Sequence, residues 1–462
     1  MALVTERQKI QHLLRRAGFG YRADELEMYV NLGLENTIEQ LLQPETVDDS
    51  KCEALLEEFA DSQTDKFKQN VRYKIAQWHI RLAHSERPLL EKMTYFWHNH
   101  FATSMTKVSQ PEFMGIQNQT LRNNALGLFP DLLQAITNDP AMMVYLDNRL
   151  NVKSAPNENY AREVMELFTM GESAGYSELD VLEAARALTG WTVQRNKSKA
   201  TTAFLEHDPD SLIRFRRGQH DSAQKTLLGV SGNLNSASVV AILSSRTETA
   251  DFLGTRLWEW FALEDPESEL IARTTDAYFK SNGSIKEMVR TILTSEEMYS
   301  ERAYRWRIKS PIEYVIGSIR HISGTTNGKS EMSDTLSMGQ QLFFPPSVAG
   351  WPGGTDWINS NTILTRTNFA NELTRTYPRN RKNRTFNIPE LVKEMAVIND
   401  VEKVVDFTLD LLVGGDVDEA TREILIEHLG GRYHYNYDES VKNGTLNGMY
   451  YLALTMPLYQ LA

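Results

Sequence analysis

Apolar residues recur at three- and four-residue spacing along most of this chain, and that period calls for helices rather than sheet. In "TERQKIQHLLRRAGFG" the stripe is Ile10, Leu13 and Leu14, and Gly18 and Gly20 stop it. In "DKFKQNVRYKIAQWHIRLAHS" it is Val71, Ile75, Trp78, Ile80 and Leu82. Pro88 then suits the first turn of a helix running through "LLEKMTYFWHNHF". The same spacing predicts helices near 110–127, 130–138, 157–170, 178–190, 235–262, 267–280, 284–298 and 308–323.

Two stretches break the period. From Val193 to about Gly232, "TTAFLEHD" and "SLIRFRRGQHD" alternate around the turn residues Asp208-Pro209-Asp210, which reads as a hairpin or loop. The segment "FFPPSVAGWPGGTDWINS" carries three prolines and cannot be helical through its middle. The expected class is therefore all-α, a multi-helical globular protein with a small β-hairpin or loop insertion near 195–232. We expect a helical unit over 1–372 and a small helical C-terminal unit, 373–462, packed on it.

A net charge of −12 argues against a nucleic-acid surface, and the one basic run, "RNRKNR" near 379–384, reads as a solvated loop. Cys52 is alone, which excludes an intrachain disulfide and a cysteine-rich zinc site. No 18-residue stretch is apolar and uncharged, so no membrane-spanning helix is expected. The opening residues, interrupted by Glu6, Arg7 and Lys9, lack a signal-like apolar core. Cytoplasmic residence is the expectation, and an extracytoplasmic one follows if a signal was removed.

Four stretches could carry chemistry. "YFWHNHFATS" places His98 and His100 two residues apart. On a regular helix His100 shares a face with Leu89, Met93 and Phe96, and His98 points the other way, so the pair does not converge on one ion. The plain alternative is one histidine hydrogen-bonded in the core and one near the surface. On this reading His100 belongs to a site and His98 braces the helix end. "NENYAREVMELFTMG" places Asn159, Arg162, Glu163 and Glu166 on one narrow stripe of a helix otherwise apolar. Buried charges of that kind must bind something or pair, and Arg162 with Glu166 at i,i+4 is the ready internal pair.

"RFRRGQHDSAQKTLLG" offers His220, Asp221 and Lys225 on an irregular segment, where a base, its orienting carboxylate and a cation usually act. His207-Asp208 is a competitor, and either pair can be a simple turn. In "VAGWPGGTDWINS", Trp351 and Trp357 suit stacking on sugar rings, or else pin the loop to the core, with Asn359 or Ser360 capping the next helix. There is no phosphate loop, HExxH or dinucleotide fingerprint.

"HLLRRAGFG", "FWHNHFATS", "NENYAREVMELFTMGESAGYSELDVLEAARALTGWTV", "HDSAQKTLLG", "KSPIEYVIGSIR" and "GQQLFFPPSVAGWPGGTDWINSNTILTRTNFA" occur here in an order that resembles the bacterial domain of unknown function 1800 family. The resemblance covers roughly 8–372, leaving the tail as a variable end. It implies a helical protein, relatives that are often exported, and a sulfatase- or phosphatase-like protein encoded nearby as a partner. It matches the family's polar positions to His12, Arg15, Arg16, His98, Asn99, His100, Asn157, Glu158, Asn159, Arg162, Glu163, Glu166, His220, Asp221, Lys225, Trp351, Pro352 and Trp357. Phe168 stands where many relatives have histidine.

Together these readings predict one composite cleft. Glu163, Glu166, His220 and Asp221 would be catalytic. Arg162, Asn159, Lys225, Trp351 and Trp357 would hold a glycan or cell-envelope polymer. His98, His100, Glu163 and His220 would bind a divalent transition metal (zinc, manganese or iron) if one is used; otherwise the two carboxylates suit metal-free acid–base hydrolysis. The competing expectation is a non-catalytic scaffold in which these groups form a closed structural network. The two differ in whether Glu163, His220 and one of the paired histidines converge.

Overall fold

The computed structural model describes residues 3–194, 212–375 and 383–462. Helices dominate, as the spacing requires, and three antiparallel pairs of very short strands interrupt them. The first helix, Glu6–Arg16, opens on a capping box: Thr5 accepts from the Gln8 backbone while the Gln8 side chain returns the bond. Pro88 stands in the first turn of Pro88–His100, where its missing N–H costs nothing. Asn359 caps Ser360–Thr374, which matches the plainer reading of that residue.

The boundaries differ from the periodic reading in three places. The stretch expected as one helix over 235–262 is two, Ser236–Ser244 and Thr247–Phe261, with Thr249 Oγ1 donating across the break to Leu243 O at 2.7 Å. The helix expected over 157–170 is only Asn159–Glu166. Past it the coil widens, Phe168 N–H donating to Glu163 O and Met170 N–H to Met165 O. Among its described residues the insertion holds two short strand pairs. Trp191–Val193 pairs with Ile213–Phe215, and Lys225–Leu227 pairs with Val230–Gly232. The turn at Asp208-Pro209-Asp210 and the His207-Asp208 pair lie outside the described residues, as does most of "RNRKNR". A third pair, Thr325–Thr326 with Arg384–Thr385, had no period-2 run long enough to announce it.

Two helices organise the interior. Pro88–His100 contributes Leu89, Met93 and Phe96 to the largest apolar cluster, and its Tyr95 to another formed by Trp78, Phe113, Ile312 and Phe343. Glu6–Arg16 gives Leu13 to the largest cluster, while Ile10 and Leu14 join a second one. That second cluster contains Tyr314 and Ile319 together with Val404, Leu412, Tyr450 and Tyr459. Residues beyond 373 therefore share one apolar interior with the first helix.

Several charges enter this interior in pairs or networks. Glu91, 2% exposed, takes both Arg122 Nε (2.6 Å) and Nη2 (3.0 Å), and Trp78 Nε1 at 3.1 Å. Despite desolvation, these donors hold its carboxyl below the usual carboxylate range. Arg122→Met should cost about 3–5 kcal/mol, because it strands a buried carboxylate. Glu91→Leu with Arg122→Met should recover most of it; urea midpoints of the two variants check the pair, and equal losses would show that burial of charge is not the cause.

Candidate functional site

The three residues His98, Asn99 and His100 face different ways from the last turn of Pro88–His100. His98 Nε2 accepts the Phe343 N–H at 3.1 Å, so the ring proton sits on Nδ1. Trp78, Phe343 and Trp351 enclose the ring. Asn99 Oδ1 accepts the Trp351 N–H at 2.7 Å. His100 Nε2 donates to Phe168 O at 3.0 Å, which requires the opposite tautomer and leaves Nδ1 buried without a partner. Burial pulls both imidazoles down to about 3. Gly350 completes the fit: a Cβ there would fall inside Asn99, and its φ of 81° suits glycine. These contacts fasten the 343–351 loop and the end of the Asn159–Glu166 segment to one helix.

His98 thus acts as a brace, as its divergent position suggested, and His100 holds a backbone group of its own. Sequence spacing showed that they diverge. It could not show that a loop 245 residues away brings an N–H to one of them.

The glutamate helix is less buried than its apolar flanks implied. Asn159 is exposed, and Arg162, Glu163 and Glu166 are half-exposed. Arg162 Nη1 meets Glu166 at 3.3 Å and forks onto Glu178 at 2.9 and 2.6 Å. The internal ion pair read from the i,i+4 spacing is thus present, with a second carboxylate the sequence did not suggest. The Glu163 carboxylate accepts no hydrogen bond from a described side chain or backbone group. Burial, and then the neighbouring Glu166 charge, push its carboxyl above the usual range, against the pull of Arg162. The Tyr145 ring lies close enough to feel that charge.

His220 and Asp221 sit on the turn after Arg217–Gln219. His220 Nδ1 donates to Thr189 O at 3.0 Å, leaving Nε2 as the lone-pair nitrogen, and Phe215 packs on the ring. Asp221 accepts from Arg186 Nε at 2.7 Å and from the Ala223 N–H at 2.9 Å, and these donors lower its carboxyl. Asp221 therefore orients Arg186, not His220. Lys225, expected to bind substrate, is 1% exposed and donates to Ala223 O at 2.9 Å; burial lowers its ammonium. Trp351 and Trp357 are 7% and 8% exposed, so neither presents a face for a sugar ring. They pin the loop to the core instead.

Among the described residues no three His, Cys, Asp or Glu side chains are grouped to hold a metal ion, so His98, His100, Glu163 and His220 form no joint ligand set. A cavity of about 570 Å³ lies elsewhere, lined by Asp49, Arg81, Arg87, Glu91, Arg122 and Lys286 among others, and contains none of the expected site residues. Its charges are largely spent on one another, Arg81 on Glu53 and Arg122 on Glu91.

Sequence reasoning missed Asn151 and Thr189. Asn151 is fully buried; its amide donates to Ala185 O and Asn148 Oδ1, its Oδ1 accepts the Asn157 N–H, and its carbonyl accepts the Gly190 N–H. Thr189 takes His220 and the Asp221 N–H. Between them they join the glutamate helix to the His220 turn. A buried asparagine carries no periodic signal, so only the fold reveals it. The exposed Phe215 ring, paired with Trp191 at 5.0 Å, was likewise not singled out.

A multi-helical chain with this histidine brace and glutamate helix defines a helical class whose chemistry the fold does not announce. The chain belongs to the family described as Protein of unknown function (DUF1800), whose profile matches residues 12–461. The match runs through the tail, so the limit of the resemblance at 372 is corrected. No curated protein and no solved structure matches the chain.

Proposed function

We propose that this protein is a partner-binding scaffold rather than a hydrolase with a composite cleft. The observation that carries this reading is the use of the His98-Asn99-His100 stretch. All three polar side chains are committed to backbone groups of other segments, as a structural network requires. Asp221 and Lys225 are committed in the same way. The partner class is the sulfatase- or phosphatase-like protein that the family resemblance implies. Mixing the two purified proteins should give a complex by size-exclusion chromatography with light scattering, at micromolar concentration. Separate elution across that range would overturn the pairing.

A second reading rests on Glu163. A half-buried carboxyl with a raised pKa, no hydrogen-bond donor and a second carboxylate nearby is the arrangement of a general acid. In that reading the protein is a metal-independent hydrolase of a glycan or cell-envelope polymer. Glu163→Gln should then lower release of reducing ends from cell-envelope glycan roughly 10²–10⁴-fold. Turnover that depends on Glu163 would displace the scaffold reading. Absence of turnover in both wild type and variant would leave the scaffold reading alone.

A further inference from the structure

The first helix carries Arg15 into the interior at 5% exposure, and among the described residues no carboxylate meets it. Its Nη1 donates to Tyr21 Oη at 3.3 Å and its Nε has no partner. Arg305 approaches from the 300–309 segment, donating to Val413 O, with Asp416 at a long 3.5 Å. Lys309, also buried, donates to Tyr459 O at 2.7 Å and stands 3.7 Å over the Tyr459 ring, again with no carboxylate at ion-pairing distance among the described residues. His321 Nε2 is a further buried atom without a partner nearby, its Nδ1 being on Tyr459 Oη. The nearest acids are occupied: Asp410 by Arg7 and Gln11, and Glu313 by Lys92 and Arg307.

Arg15 and Arg305 point at a common place. The position a Cβ would take on Gly414 lies 3.7 Å from Arg15 Nη1, 3.7 Å from Arg305 Nη2 and 3.3 Å from Gln11 Oε1. The Gln11 oxygen is itself buried and accepts nothing. Buried cations that mutual attraction does not balance are costly unless an anion joins them. Guanidinium forks are the donors best shaped for a tetrahedral oxyanion.

We propose that a phosphate-class oxyanion binds between Arg15 and Arg305 beneath the turn at Gly414. Gln11 Oε1 then has a role: it accepts the hydroxyl of monohydrogen phosphate, a donor that sulfate lacks at neutral pH. The site joins the first helix to Val401–Val413, so occupancy ties the C-terminal residues to the rest of the fold. It lies apart from the Glu163 and His220 groups and does not depend on the scaffold reading.

The test uses the full chain at constant ionic strength. Inorganic phosphate should raise the thermal midpoint saturably, and sulfate should need roughly ten-fold more for the same rise, the equivalent of one missing hydrogen bond. Ion chromatography of the desalted, guanidinium-unfolded protein should find phosphate near one per chain. Arg15→Met should abolish both effects. Arg305→Met replaces the second cation by an uncharged chain, and should weaken them even if Arg15→Met does not fold. No saturable rise with either anion and no released anion would overturn the site, as would an unchanged phosphate response in Arg305→Met.

Discussion

Stability should collapse between pH 6.5 and about pH 5. His79 and His84 are pulled down to about 4 and His98 and His100 to about 3, and His12 and His321 are pulled well below the ordinary imidazole range. Desolvation is the first cause in all six. Each is neutral in the fold, yet accepts a proton once the chain unfolds below about 6.5. The unfolded state therefore binds more protons as pH falls, and each histidine removes about 1.4 kcal/mol of stability per pH unit. Asp139 works the other way. Burial raises it to about 7, so it is protonated in the fold and gains stability as pH falls toward 4, cancelling one histidine. Lys74 and Lys92, lowered to about 7 and about 8, act above this window: their depressed values cost stability below pH 10 and leave little slope under pH 6. Asp49, Glu163, Glu259 and Asp334, also raised chiefly by burial, oppose the trend further; what remains is still a loss of roughly several kcal/mol per pH unit, a large share of an ordinary domain's stability. Urea midpoints at pH 7.5, 6.5 and 5.5 would measure it. A chain as stable at pH 5 as at pH 7.5 would refute the neutral buried imidazoles.

His98→Ala should be among the most damaging single substitutions in the chain, at about 3–5 kcal/mol. It opens a hole between Trp78, Phe343 and Trp351 and leaves the Phe343 N–H buried without an acceptor. His98→Gln, which can still accept, should recover part of the loss. His98→Phe fills the hole without restoring the acceptor and should fall between them. Denaturant midpoints with matched m-values would order the three. If alanine and glutamine are equally mild, the ring is not the fastener described above.

These expectations also mark how far the residues alone could lead. The i,i+2 spacing of His98 and His100 was enough to say that they diverge, because side-chain direction on a helix is local. The i,i+4 pairing of Arg162 with Glu166 was legible for the same reason, as were the Pro88 start and the Asn359 cap. Glu178, the stronger partner of Arg162, comes from a different helix, and no spacing encodes it. The tryptophans at 351 and 357 suggested an open binding rim only because a loop's burial cannot be read from its own composition.

The sequence by itself determined the helical class, the breaks in the helical period and the local caps and pairs, all set by interactions within a few residues. The tertiary structure decided what each polar side chain is for. Partners such as the Phe343 N–H on His98, Phe168 O on His100, Thr189 on His220 and the Arg15–Arg305 approach lie tens to hundreds of residues away, and only packing brings them within the range of a hydrogen bond or a Coulomb interaction.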